Sequence, residues 1–285
     1  MKLLRRSAVA IALLAAACGG SRTAPATQPG LPTAFNPTAS DPKAVALVDE
    51  MLAKVGGAAQ WDKVKQIRWE QRYMRDGKMT AMFRHSWDRW NGRHRFEIVD
   101  LASMEKAKSE GGPDAADVQV TVGMYDLYDH QGKGTATVGG QPTDSATRDQ
   151  IVARAFEAWQ SDAYRVAAIY KVKDPGVKLA LKGTAPTIKE FCKPSCEVVE
   201  VTFAPEVGKD TWFININSQS KMPEVIGKQL ADNKQLAYGL SGWTQVGALK
   251  FPTRFENLGA SEVFEIHNLQ IGEPQDDLYI PSVTD

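Results

Sequence analysis

The chain has 285 residues, with 34 Lys plus Arg against 34 Asp plus Glu and no formal net charge. That balance excludes a dedicated nucleic-acid surface, which needs a basic face. Three cysteines are too few for a disulfide-built scaffold, and the length suits one large β domain or two small ones.

Lys2, Arg5 and Arg6 precede an unbroken apolar run from Ala8 to Ala17, too short to cross a bilayer as a helix. The run ends in Leu14-Ala15-Ala16-Ala17-Cys18. This resembles the lipobox of bacterial lipoproteins, with Ala15 where leucine is usual. The resemblance implies a signal peptide over 1–17 and a palmitate-type lipid on Cys18. Gly19, rather than an aspartate, points to the outer membrane, facing the periplasm. The alternative is an ordinary signal cleaved near Ala17. Two or three acyl chains hold a protein firmly at a membrane that it does not span. Residues 19–39, rich in Gly, Ser, Thr, Pro and Ala, form a linker able to reach ~25 Å.

Ser40 or Asp41 caps the first helix, and Pro42 occupies its first position. Ala44, Val45, Leu47, Val48, Met51, Leu52 and Val55 recur at helical spacing, and Gly56-Gly57 ends it. A short turn over 58–64 buries Trp61. The period then changes to two: Ile67, Trp69 and Tyr73 alternate with Arg68, Glu70 and Arg72. Asp76-Gly77 turns into a long strand from Lys78 to Trp90, and Asn91-Gly92 turns that into Arg93 to Val99. Residues 102–117 read as a loop. A strand opens at Val118 and runs to about His130, and Gly132 to Val138 pairs back. Asp144 or Ser145 caps a helix striped with Ile151, Val152, Ala155, Phe156 and Trp159; Tyr164 to Ile169 forms a second helical piece, and Asp174-Pro175-Gly176 ends it. Strands follow over about 177–182, 186–191, 197–204, 210–217, 222–229, 241–247, 250–257 and 262–271. With no repeated strand–helix alternation, a doubly wound fold is excluded.

Cys192 and Cys196 lie in a tight turn between strands. An exported chain meets oxidising conditions, so a disulfide is expected; a zinc site would need more ligands. The four histidines are His85, His94, His130 and His267. A hairpin centred on Asn91-Gly92 places His94 opposite Arg89 rather than His85, so no shared metal is expected. Arg84 to Trp90 reads as a solvated strand face, with sugar binding through Trp87 and Trp90 as an alternative. Gly-x-Ser-x-Gly, His-Glu-x-x-His and phosphate-loop motifs are absent. Asp126, Asp129 and His130 are a thin acid–base candidate without a nucleophile. No catalytic residue, metal or cofactor is assigned.

Four stretches resemble the LolA/LolB-like periplasmic and outer-membrane lipoprotein family, in an uncharacterised branch. They are Val55-Gly56-Gly57 with Trp61, Val64 and Ile67; Lys173-Asp174-Pro175-Gly176-Val177; Asp210 to Asn217; and Gly242 to Arg254. The resemblance implies a single domain over 40–285, mainly β (α+β): a strongly curved antiparallel sheet of about 11 strands, an open half-barrel whose concave face is covered by helices. Relatives use such a concavity for acyl chains. Carried over, that makes Trp69, Phe83, Phe96, Ile98, Val120, Val122, Phe156, Trp159, Val201, Phe203, Trp212, Ile214, Phe251, Phe255, Phe264 and Ile266 candidates to line it. The expectation is a membrane-anchored monomer that carries a lipid or acylated protein. A scaffold filled by its own side chains is the alternative, and an enzyme using the cavity a further one.

Overall fold

The computed structural model describes residues 34–110, 118–205, 207–208, 210–230 and 234–280. The signal segment 1–17, Cys18 and most of the linker lie outside the described residues. Among those described, no helix is long and apolar enough to cross a membrane.

Helix α1 (Pro42–Lys54) starts where Asp41 accepts a hydrogen bond from the Lys43 amide, with Pro42 at the first turn. It buries Ala44, Leu47, Val48, Met51 and Leu52. Gly56, at φ +114°, ends it; a Cβ there would stand 2.2 Å from the Ala248 carbonyl oxygen. The short α2 (Ala58–Asp62) then buries Trp61. Strands β1 (Gln66–Arg75), β2 (Lys78–Asp88) and β3 (Arg93–Val99) form a meander. It continues through α3 (Leu101–Ser109), β4 (Val120–Asp126), β5 (Thr135–Val138) and β6 (Gln141–Pro142). Helix α4 (Ser145–Ala167) separates this half from the second. The second half holds β7 (Val177–Ile188), β8 (Phe191–Phe203), β9 (Trp212–Asn217), β10 (Pro223–Gln229), β11 (Gln235–Ser241), β14 (Arg254–Asn257) and β15 (Glu262–Gly272). A small hairpin, β12 (Thr244–Val246) with β13 (Leu249–Phe251), stands apart.

One antiparallel sheet of 13 strands results, in the order β6-β5-β4-β3-β2-β1-β15-β14-β11-β10-β9-β8-β7. It is open, with β6 and β7 at its edges. The last long strand joins the halves by pairing with β1, Gln66 opposite Gly272 through Arg75 opposite Glu262. The sheet is curved, and α4 measures the curvature. Gly123 on β4 lies against Ile151, and the Trp212 ring on β9 packs, tilted, against Tyr164 with centroids 3.9 Å apart. Eight strand steps separate β4 from β9, ~38 Å along a flat sheet. The thirteen residues from Ile151 to Tyr164 rise only ~20 Å. The sheet must bend around the helix for both contacts to exist.

The sheet has 13 strands where the resemblance implied about 11, and 235–241, not expected as a strand, forms β11, with Leu236, Tyr238 and Leu240 alternating with Gln235, Ala237 and Gly239. Segments 177–182 and 186–191 do not form separate strands. The first extends through Pro186 to Ile188, and Phe191 already opens β8. The 241–247 and 250–257 strands are each broken, so that β12 and β13 pair with each other. Residues 102–117 are not all loop, since Asp100 caps α3 with two backbone contacts. The two helical pieces after Asp144 are one continuous α4.

The outer edge of β7 is covered at its start by the chain entering α1: the Asp41 amide donates to the Leu179 carbonyl at 2.8 Å, and the Leu179 amide donates to Ser40 Oγ at 3.0 Å. This satisfies backbone groups that an edge strand otherwise exposes. Cys192 and Cys196 are joined by a disulfide between β7 and β9, within β8.

Candidate functional site: the helix-covered inner face

The inner face follows from strand register. Trp69, Gln71 and Tyr73 on β1 pair with His85, Phe83 and Ala81 on β2. Trp87, His85 and Phe83 pair in turn with His94, Phe96 and Ile98 on β3. The last three pair with Tyr125, Gly123 and Thr121 on β4. These residues share one face, the one covered by α4. In the other half Val177, Leu179, Val199, Val201, Ile214, Ile216, Ile226 and Leu240 share it, and with Phe255, Phe264 and Ile266 they join one hydrophobic cluster with α1 and α4.

The candidate lining residues therefore divide. Trp69, Phe96, Val201, Ile214, Phe251, Phe255, Phe264 and Ile266 are buried in that cluster; Phe83, Ile98, Phe156, Trp159, Phe203 and Trp212 pack against it partly exposed. Val120 and Val122 pair with Val99 and Glu97 and so point to the opposite face. They are a correction: with a side-chain period of two, the phase of β4 is set by Gly123 and Tyr125, not by the valines. Gly123 lets α4 approach, because a Cβ there would meet Ile151 at 3.2 Å.

A second correction concerns the β2–β3 turn. It spans four residues, 89–92, not Asn91-Gly92 alone. Fully buried Asp88 builds it by accepting from the Trp90 and Asn91 amides, the Asn91 side chain and Arg93. The register is thereby shifted: His94 faces Trp87, and its Nε2 lies 3.2 Å from His85 Nδ1. Nor is Arg84–Trp90 a solvated face, because His85, Ser86, Trp87 and Asp88 are all buried.

These histidines belong to a buried polar chain. The Tyr125 hydroxyl lies 2.8 Å from His94 Nδ1. His85 Nε2 lies 3.4 Å from Asp162 Oδ2 on α4, both side chains fully buried. Asp162 Oδ1 accepts from Tyr73 at 2.7 Å and from Arg165 at 2.6 Å. The His85–Asp162 approach is a charge contact without hydrogen-bond geometry. With both rings neutral and the His85 proton on Nε2, toward the carboxylate, His94 donates through Nε2 to His85 and Tyr125 donates to His94. Trp69 stacks on the His85 ring at 4.3 Å, and Arg165 lies over Phe264 at 4.5 Å.

Burial pushes the Asp162 carboxyl up, but His85, Arg165 and Tyr73 outweigh it and hold it below the ordinary aspartate value. The His85 contact is the longest of the three. Burial, and secondarily His85, hold His94 well below the ordinary histidine value. Burial also raises the Tyr73 and Tyr125 hydroxyls. The site thus sets the Asp162–Arg165 ion pair beside a chain of ring nitrogens and hydroxyls, enclosed by aromatic rings. Sequence reasoning missed it. The available signal was Asp162, which interrupts the apolar stripe of α4 one turn beyond Trp159.

The other candidates are not assembled into sites. His130 stacks on Phe156 at 3.8 Å, Asp126 accepts from the Tyr128 amide, and Asp129 pairs with Lys133. Cys192, Cys196 and Glu224 place donor atoms within 4.8 Å of one another, but the sulfurs are bonded to each other and offer no thiolate. Two clefts, of about 180 and 260 Å³, share Ile271, Gly272 and Glu273 at the end of β15.

No protein-family model and no curated protein matches the chain. Among solved structures it is similar to a DUF1329 family protein from Desulfovibrio piger, at 13% identity and TM-score 0.45, over 84% of this chain and 98% of that one. It is similar to a LolA superfamily protein from Nitrosomonas europaea, at 12% identity and TM-score 0.43, over 83% and 97%. It is also similar to a domain described as an outer membrane lipoprotein-sorting protein from Vibrio parahaemolyticus, at 9% identity and TM-score 0.43, over 83% and 96%. The structural neighbours of this chain are thus DUF1329 and LolA-superfamily proteins, at low identity and modest TM-score.

Proposed function

We propose that the protein is an envelope carrier, tethered through Cys18 to the outer membrane, that holds a lipid or the acyl chains of a lipoprotein on the inner face of its sheet. The observation that carries this reading is an open sheet whose aromatic-lined inner face is closed by α1 and α4, with Phe83, Ile98, Trp212 and, on α4, Phe156 and Trp159 only partly buried against the core. That partly covered apolar area is surface on which a greasy ligand gains by burial. Burying one acyl chain of about 400 Å² at ~25 cal/mol/Å² is worth on the order of 10 kcal/mol before association costs. Capture is non-covalent, with no cofactor, and the protein acts as a monomer.

Native mass spectrometry of gently purified protein tests the reading. The expected result is co-purified lipid, or uptake of a fluorescent fatty acid that competes with it. The close packing of Trp69, Phe96, Ile214, Phe255 and Phe264 in one buried cluster with α1 and α4 favours a second reading, an envelope scaffold whose concavity is permanently filled. Protein that is always empty and takes up no fatty acid would establish that reading instead. The tether is tested separately: Cys18→Ser is expected to move the protein from the membrane fraction to the soluble one.

A further inference from the structure

Two features distinguish the ways α1 and α4 are held. The buried side of α1 is entirely apolar, from Ala44 to Leu52. The buried side of α4 carries Asp162, and the facing strands present Tyr73, His85, His94 and Tyr125 to it or to one another. His85 and His94 are anchored on adjacent hydrogen-bonded strands, so they cannot separate without breaking the sheet. Asp162 and Arg165 ride on the helix. The polar chain therefore crosses the boundary between the sheet and the helix that closes it.

We propose that the Tyr125–His94–His85–Asp162 chain is a pH-operated latch: at neutral pH it holds α4 across the mouth of the half-barrel, and a proton entering the chain frees the helix. The chain takes that proton only by rearranging: His85 then donates through Nδ1 to His94, His94 donates through Nδ1 to Tyr125, and the Tyr125 hydroxyl turns to accept. Charge opposes it as well. Among the described residues, the groups facing the chain are Tyr73 from β1, Tyr238 from β11, Tyr125 from β4, His130 after β4, whose ring lies 6.1 Å from that of Tyr125 and stacks on Phe156 of α4, and Asp162 with Arg165 from α4. Asp162 is the one carboxylate among them, already paired with Arg165 at 2.6 Å. A protonated imidazole would make two cations for one carboxylate in a site closed to water, a poorly compensated buried charge. The low basicity of His94 agrees with this. Moving α4 lets Arg165 and Asp162 reach water while the strands stay paired.

As regulation of a carrier, the latch rests on the reading above. Release of the helix is measured without ligand, so a protein that binds no lipid and a protein that does not release α4 are separate failures. Hydrogen exchange of the full chain, followed by mass spectrometry and corrected for intrinsic rates, is compared at pH 7.5 and 5.0. Peptides covering 145–167 are expected to exchange at least tenfold faster at pH 5.0, with 42–54 unchanged. His94→Phe is expected to remove that difference while keeping α4 protected, and His267→Gln, half-exposed on β15 beside Glu265, to leave it intact. Should His94→Phe fail to fold, Tyr125→Phe serves: losing the donor to the neutral ring moves release to higher pH. Equal protection of α4 at the two pH values in the natural protein overturns the proposal, as does an undiminished pH difference in His94→Phe or an unmoved midpoint in Tyr125→Phe.

Discussion

At the scale of single residues, the double glycine after α1 has two different reasons to exist. Gly56 sits at φ +114° and lets the β12–β13 hairpin approach so closely that the Lys250 amide bonds the Val55 carbonyl at 2.8 Å. Gly57 also has positive φ, +89°, but a Cβ there meets nothing within 4 Å. Gly56→Ala is therefore expected to cost about 3 kcal/mol in denaturant unfolding, strain plus clash. Gly57→Ala should cost about 1 kcal/mol, strain alone. Asp162 makes a different case, because its partner Arg165 is also largely buried, with 13% side-chain exposure. Asp162→Asn leaves that cation unpaired and is expected to cost about 3 kcal/mol. The pH dependence follows from sign. His94 resists protonation in the fold, so the unfolded chain binds the extra proton first, and stability falls as pH drops below about 6.5. Asp162 is held low, so its contribution is present above about pH 4 and is lost as pH falls through its lower folded value. Unfolding midpoints measured from pH 8 to 3 should show the first decline before the second.

At the scale of elements, the helices were legible where caps announced them. Asp41 and Pro42 mark the start of α1, and Asp144 accepts from the Thr147 amide to start α4. Asp41→Ala should cost about 1 kcal/mol, read by the same unfolding assay, because the Lys43 amide loses its acceptor. Strand faces were less legible. Alternation identified the inner positions of β1, where Trp69 and Tyr73 are separated by charged neighbours, yet put β4 out of phase. The Val118-Val120-Val122 series is as apolar as a core strand, and nothing local says that Gly123 and Tyr125 are the residues under α4. The β2–β3 register failed for a similar reason. Asn91-Gly92 is a strong two-residue turn signal, and Asp88, three positions earlier, overrides it by capturing two amides and Arg93.

At the scale of the molecule, connectivity makes the two halves interdependent. Strand β15 is the partner of both β1 and β14, near the middle of the order. Truncation before Glu262 is expected to yield protein without cooperative unfolding, whereas ending the chain after Ile280 should leave the midpoint unchanged; circular dichroism on heating distinguishes them. The convex side adds a clamp. Asp276 pairs with Arg93 at 2.6 Å and Tyr279 accepts from Gln66 at 2.9 Å, so the chain after β15 ties back across β1 and β3. Sequence alone determined the export-type leader as an expectation, the helix caps, the β-rich class and the greasy positions, because each depends on neighbours within one turn or one strand. Tertiary structure decided the strand total, the phase of β4, and above all the meeting of Asp162 with His85 and His94. Those residues lie on three elements far apart in the chain. A curved sheet wrapping one helix is what brings them within hydrogen-bonding range, and no local pattern encodes that curvature.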